Sequence, residues 1–398
     1  MLLLLGSEAL GQRQTLTIPL LTQSNASVQC IVTRGASAPA TAVAFSPDGT
    51  RLAAAAYQEA LLWDLTKAAL GKRLGGCSGT VQSLAFSPDG KLLAVGDGLP
   101  GRSGALRLFA VETGQSVACF QEPKDVVYSV AFSPDGKRIA AGAADHSAYL
   151  WSVEQQKLVA TLRDHNDRIW GVAFSADGKF LATASADRTA RLWEAGSWKS
   201  LARMEQAESV QGVAFSADGQ WLALAVAGAG ERTVRIRRRD NAQTVRTIEI
   251  GAAKPSDVLW AAKGNRLYVP CSDGTIRVFD AGNGSALATL SGHNDWVHCV
   301  AVAADGATIA SGSADGVVKL WSADGWKPLA TLLQLAPRSD EWLLVSAAGY
   351  LQASSPGKLE WKTTNVKMPT TKLAVQLHNA ERTRQAIAGK NVPPPPLE

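Results

Sequence analysis

The chain has 398 residues, 46% of them apolar, with 36 glycines and 17 prolines, a globular composition and not a disordered one. Its formal net charge is +5 and the charges are scattered, so there is no electrostatic case for a nucleic-acid or membrane-surface partner. No apolar run reaches the ~18 residues a spanning helix needs, and five widely spaced cysteines without a CxxC pair read as small buried hydrophobes, not as ligands or disulfide partners.

The first residues, MLLLLGSEALG, look like a clipped secretory leader over 1–11, with an apolar stretch at 2–5 and a small-residue cleavage site at 9–11. That stretch lacks a basic start and is shorter than the usual ~7–15 residues. An exported, periplasmic protein is the expectation, with a cytoplasmic start as its rival. Residues 28–33 (VQCIVT) then read as a strand. From there a turn motif recurs: FSPDG at Phe45, Phe86 and Phe132, FSADG at Phe174 and Phe215, WAAKG at Trp260 and VAADG at Val302. The intervals are 41, 46, 42, 41, 45 and 42 residues. Asp-Gly suits a hairpin because glycine accepts positive φ and Asp tolerates it. An apolar run follows each turn, and each unit closes on a further strand such as LLWD at Leu61 or RLWE at Arg191.

The clearest copy spans 158–194. Four short apolar runs, 158–162, 169–174, 180–184 and 190–193, are separated by turn residues. The spacing predicts a four-stranded antiparallel meander too small to bury both faces alone, so copies must stack. The second unit carries an insertion, GDGLPGRSG at 96–104, read as a lengthened loop able to bind something. The one basic cluster, RTVRIRRRD at 232–240, reads as an exposed edge whose charge blunts strand pairing, or as a contact for an acidic partner. After Trp321 comes a further strand at 328–333. Then 342–362 reads as strand, turn, strand, turn, strand, at repeat-like distances from the unit before it. A short helix is expected over 372–390, followed by the proline run VPPPPLE, which favours an extended conformation.

In its period, its Trp63-Asp64 dipeptide and its Gly292-His293 dipeptide, the chain resembles the WD40-repeat family, with a bacterial look to the segment after the repeats. The resemblance covers 28–335 and implies an all-β propeller with seven clear blades around a channel. Two arrangements stay open for 340–365: a degenerate eighth blade closed by the strand at 28–33, or a hairpin appended to a seven-bladed ring. Residues 366–398 form a tail. The resemblance also implies a buried structural relay. In one unit it would be His165, Ser185 or Thr183, Asp187 and Trp193; in another, His293, Ser311 or Ser313, Asp315 and Trp321. Desolvated indole, hydroxyl and imidazole groups each need partners, so these histidines are structural.

Nucleophile elbows, P-loops, HExxH and EF-hand spacings are absent from the sequence, and His293 with His298 lacks a third ligand, so no metal or cofactor is expected. Carboxylate pairs such as Glu205/Glu208 and Asp164/Asp167 read as solvated loop charges. The family geometry aims the residues four and six before the first residue of each turn motif at one rim of the channel. At minus four these are Thr41, Gln82, Tyr128, Trp170, Gln211, Ser256 and His298. At minus six they include Val126, Arg168 and Trp296. Large side chains of the kinds that dominate interfaces are concentrated in Tyr128, Arg168, Trp170, Trp296 and His298. The expectation is a monomeric, non-catalytic scaffold that binds a protein or peptide, and neither nucleic acid nor membrane, through that rim. The alternatives are a regulatory subunit of a larger bacterial system whose effector is encoded separately, and a propeller hydrolase or lyase.

Overall fold

The computed structural model describes residues 14–23, 26–34, 38–356, 359–364 and 370–395; the leader read at 1–11 lies outside them. Seven antiparallel sheets follow one another along the chain, each a meander of four consecutive strands, at 43–74, 80–120, 127–162, 169–205, 210–249, 259–291 and 297–334. We number them blades 1 to 7. In blade 4 the strands are Ile169–Phe174, Phe180–Ser185, Thr189–Glu194 and Ser200–Glu205. The segment 158–194 is therefore not one blade. Its first strand, Lys157–Leu162, pairs with Ala148–Ser152 as the outermost strand of blade 3. The polar loop after it crosses to the next sheet, so the sequence repeat is offset from the structural blade by one strand.

Burial explains why the sheets stack. The second strands are almost wholly buried, as in Leu181, Ala182 and Ala184 of blade 4, whereas outer strands expose Leu158, Val159, Leu201 and Leu287. Small residues in the second strands let neighbouring blades approach, and Leu, Val and Trp fill the gaps between them. Leu181 and Trp193 of blade 4 pack with Ala140 and Leu150 of blade 3. Each buried leucine of this kind contributes about 1.5–3 kcal/mol of hydrophobic stabilisation. On the other face of the ring the turn motif has a second role. Pro47 lies against Gly90, Pro88 against Gly136 and Pro134 against Gly178, with the proline ring 3.4, 3.6 and 3.6 Å from where a β-carbon would sit. The Ser hydroxyl of the motif donates to the Asp carboxylate two residues on in each of blades 1 to 5.

The ring closes directly between blades 7 and 1. Ala40 N–H donates to Ser313 C=O, and Leu52 and Trp63 share a core with Leu320, Leu332 and Leu344. Seven blades thus complete the circle, and the segment read as an eighth is divided between two other sheets. Trp342–Ser346 and Leu351–Ala353 extend blade 7 outward, with Trp342 edge-on to Trp63 at 5.7 Å. Glu360–Thr364 instead joins Ala26–Arg34, Cys30 opposite Trp361, in a three-stranded sheet with Gln14–Gln23. The fourth strand of blade 7 is Pro328–Gln334, as read at 328–333, and the strand read at 28–33 closes no blade of the ring. The helix read at 372–390 is two helices, Thr370–Leu377 and Ala380–Ile387. Asn379 separates them, because its side chain caps the second by accepting from Arg382 N–H at 2.9 Å.

Candidate partner-binding rim

In a four-stranded meander, the entry to the first strand and the turn between the second and third strands lie on the same face. That face is the rim, and buried hydrogen-bond relays hold its loops. In blade 4, Trp193 Nε1–H donates to Thr183 Oγ1 at 3.1 Å. Thr183 lies 2.7 Å from His165 Nε2, and His165 Nδ1 lies 2.9 Å from Asp187 Oδ2. The donors run one way: with its hydroxyl oxygen accepting from the indole, Thr183 has an O–H to give Nε2, which leaves the imidazole proton on Nδ1 facing the carboxylate. Burial works against ionisation of Asp187, yet hydrogen bonds from His165, Thr189 and Asn166 N–H hold its carboxyl well below the usual range. The hydroxyl in this relay is Thr183, not Ser185. Ser185 donates instead to Asp167 C=O and accepts from Asp187 N–H, tying turn to entry loop.

Blade 7 repeats the arrangement. Trp321 Nε1–H donates to Ser311 at 2.9 Å, Ser311 meets His293 Nε2 at 2.8 Å, and Nδ1 meets Asp315 at 3.0 Å. Ser313 does for this blade what Ser185 does for blade 4. The sequence left each hydroxyl between two positions; the shared interval of 18 residues from His to hydroxyl picks Thr183 and Ser311 together.

Blades without histidine improvise. In blade 3 the indole of Trp151 donates to Glu122 at 3.2 Å, and Asp145 takes the O–H of Tyr149 and the N–H of Lys124. Blade 2 buries Asp97, which binds Arg107 at 2.8 Å and Ser78 at 2.7 Å. In blade 5 Arg235 bridges Glu231 at 2.7 Å and Gln206 at 3.0 Å. Arg237 there gives its two terminal amino groups to the carbonyls of Ala242 and Glu205. The run at 232–240 is accordingly no free edge: Arg232–Arg238 is the third strand of blade 5, paired on both sides. Arg238 binds Asp240, and Arg239 covers the ring of Phe180 at 4.2 Å. Glu205 and Asp164 are likewise paired, with Arg203 and Arg191.

Above the relays, Thr41, Gln82, Tyr128, Trp170, Gln211, Ser256 and His298 share one exposure: all seven are half-buried. Tyr128 and Trp170 pack together, ring centroids 4.5 Å apart and tilted by 50°. Burial pushes the Tyr128 phenol up, against the nearby Arg168 guanidinium. The Trp170 indole N–H is buried with no acceptor among the described residues. Arg168 is exposed, and Val126 is buried beneath the rim. Gln211 donates to Ser209 at 2.8 Å. Trp296, in blade 7, is 47% exposed, and burial pushes the neighbouring His298 down. Blades 5 and 6 separate those two residues from the Tyr128–Trp170 pair along the ring. One position nearer the turn, a feature missed in the sequence lines the inner strands. Ser83 accepts from Val130 N–H and Ser129 from Val172 N–H, each in the next blade. The equivalent Asp257 rests on Gly212, where a β-carbon would meet its carboxylate, and burial pushes its carboxyl up to about 7. Among the described residues no three His, Cys, Asp or Glu side chains converge as metal ligands would.

Seven meanders latched in a ring, with relays under one rim, define a β-propeller repeat protein. Five segments, 28–64, 69–109, 114–152, 156–194 and 284–322, match the family described as WD domain, G-beta repeat, and the chain belongs to this WD40-repeat family. Neither unit ending in blade 5 or blade 6 is among the matched segments; there Arg237 and Phe279 stand where Trp193 stands in blade 4. Among curated relatives, human intraflagellar transport protein 122 homolog is 39% identical over 67 residues, 17% of this chain and 5% of its own. The guanine nucleotide-binding protein subunit beta of fission yeast (Schizosaccharomyces pombe) is 33% identical over 70 residues, 18% of this chain and 23% of its own. The THO complex subunit 6 homolog of Danio rerio is 33% identical over 67 residues, 17% of this chain and 21% of its own. The similarity thus spans under a quarter of each relative's length.

Proposed function

We infer that the protein is a non-catalytic propeller scaffold that captures a protein or peptide segment on the rim carrying Tyr128, Arg168, Trp170 and Trp296. The carrying observation is the packed Tyr128–Trp170 pair beside exposed Arg168. Wide, rigid aromatic surface next to a guanidinium is the chemistry of interface anchors. Two of the relatives are named as subunits of larger assemblies, which supports an interaction role. The ring is closed within one chain, which supports a monomer. Every titratable group of the relays is spent on holding loops, which favours a scaffold over a hydrolase.

The test is affinity purification with mass spectrometry, using the full chain and its Trp170→Ala, Trp296→Ala double variant. Recovery of the wild-type partner should fall at least tenfold while the melting temperature stays within a few degrees. Equal recovery from matched lysates would sink the rim reading.

A further inference from the structure

Resting on that rim reading, we propose that the partner is an acidic peptide segment, received over blades 3 and 4 between two raised hairpins. The walls come from strand length. The second and third strands of blade 2 are Leu92–Leu99 and Ser103–Ala110, and those of blade 5 are Trp221–Ala227 and Arg232–Arg238. In blades 3 and 4 the same strands have five or six residues. The glycines of the blade 2 insertion explain its pose. A β-carbon on Gly98 would lie 2.6 Å from Val126 Cα, and one on Gly104 would lie 2.0 Å from Asp125 O. The hairpin therefore packs directly against the entry loop of blade 3, held by Gly104 N–H to Pro123 C=O and by Gly101 N–H to Asp125, with Arg102 exposed at its tip.

What the arc leaves unspent decides the chemistry of its occupant. Its carboxylates are committed: Glu122 to Trp151, Asp125 to Gly101, Asp145 to Tyr149, Asp164 to Arg191, Asp167 to Arg168 N–H, Asp187 to His165. Arg102, Lys124, Arg168 and Arg188 are exposed, and their side chains have no hydrogen-bond or ion-pair partner among the described residues. Arg188 stands at a left-handed turn position, φ 66°, at the crest of blade 4. Between these cations lies the Tyr128–Trp170 pair, whose buried indole N–H also lacks an acceptor. Four unpaired cationic donors, beside carboxylates that each already hold a partner, select an acceptor-rich ligand, and guanidinium groups take carboxylates in paired hydrogen bonds. A peptide fits better than a nucleic acid. The six carboxylates balance the four free cations together with Arg163 and Arg191, so the arc has no net field to hold a continuous phosphate backbone, whereas its separate donor groups pair one by one with a few carboxylates.

The test is selection of a random dodecamer phage library on the immobilised full chain, followed by titration of labelled selected peptides. The expected result is enrichment of Asp and Glu around an aromatic or leucine. Affinity should then drop at least tenfold on Arg168→Glu plus Arg188→Glu, with an unchanged melting temperature. Selected peptides without acidic enrichment, or the absence of any selected peptide, overturn the proposal. Peptides that lose binding with Trp170→Ala and Trp296→Ala but tolerate the arginine reversals also overturn it and leave the rim reading standing. Peptides insensitive to both sets overturn both. A labelled dT20 oligonucleotide retained by the wild type, lost on arginine reversal and steeply salt-dependent would assign the arc to nucleic acid instead.

Discussion

Blades 4 and 5 solve one problem by different chemistry. Both must fasten the loop entering the first strand to the turn after the second. Blade 4 does so with a buried chain of hydrogen bonds through Trp193, Thr183, His165 and Asp187. Blade 5 has Arg237 in place of the tryptophan and Gln206 in place of the histidine, and fastens its loop through Arg235, Glu231 and Gln206. The first latch is dry and nearly neutral in its middle; the second is ionic, with Arg235 26% exposed. A buried relay is strong only when every member is present, whereas a partly solvated ion pair is weaker and more forgiving. A repeat can therefore lose its signature residues and keep its shape.

The largest break in that comparison should come from Thr183→Val. It leaves Trp193 Nε1–H and His165 Nε2 without their shared partner, at about 2–4 kcal/mol in denaturant unfolding. Ser185→Ala, outside the relay, should cost only about 1 kcal/mol; equal losses would mean that Thr183 is not the shared hydroxyl. A smaller effect is expected where blade 5 meets blade 6. Blade 4 presents Gly171 to the backbone of Gly212, but Gly212 itself makes room for Asp257. The folded chain keeps the Asp257 proton up to about pH 7, whereas an unfolded aspartate loses it near ~4. Stability from this group is thus full below the ordinary range and is lost as pH rises through 7. Asp257→Asn should raise the melting temperature most at pH 8, less at pH 5, and hardly at all near pH 3; an equal gain at pH 8 and pH 3 would rule out the carboxylate as cause. The smallest change is Glu231→Gln, about 1 kcal/mol or less. Its loss should fade in 1 M salt, while that of Thr183→Val persists.

Seven blades were legible, though not whether an eighth joins them, because a blade is a local object: turn motif, apolar run and closing strand recur within some 40 residues. What involved distant pairing was not. Strand patterns could not say whether 340–365, closed by 28–33, makes an eighth blade of the ring or hangs outside it, since either arrangement satisfies an edge. Nor could they separate the hairpin after Trp342, which continues that sheet, from Glu360–Thr364, which leaves it. At the rim, the minus-four positions were readable by counting, but charge commitment was not. Arg235, Arg237, Arg238 and Arg239 looked free and are engaged, whereas Arg188, a single arginine in a turn, is exposed and unspent. The walls of the proposed cleft were visible only as a glycine-rich insertion, because close backbone approach has no side chain to announce it.

The turn motif on the opposite face has a consequence for recognition. Five successive blades present the same Ser-to-Asp turn there, three of them with a proline seated on the next blade's glycine. A ligand arriving at that side meets nearly the same contour at five angular settings and has little to tell one from another. Rotational degeneracy of this kind suits multivalent or indifferent contact. An address that must be read in a single orientation has to be written where the symmetry is broken, on the side of the unequal hairpins.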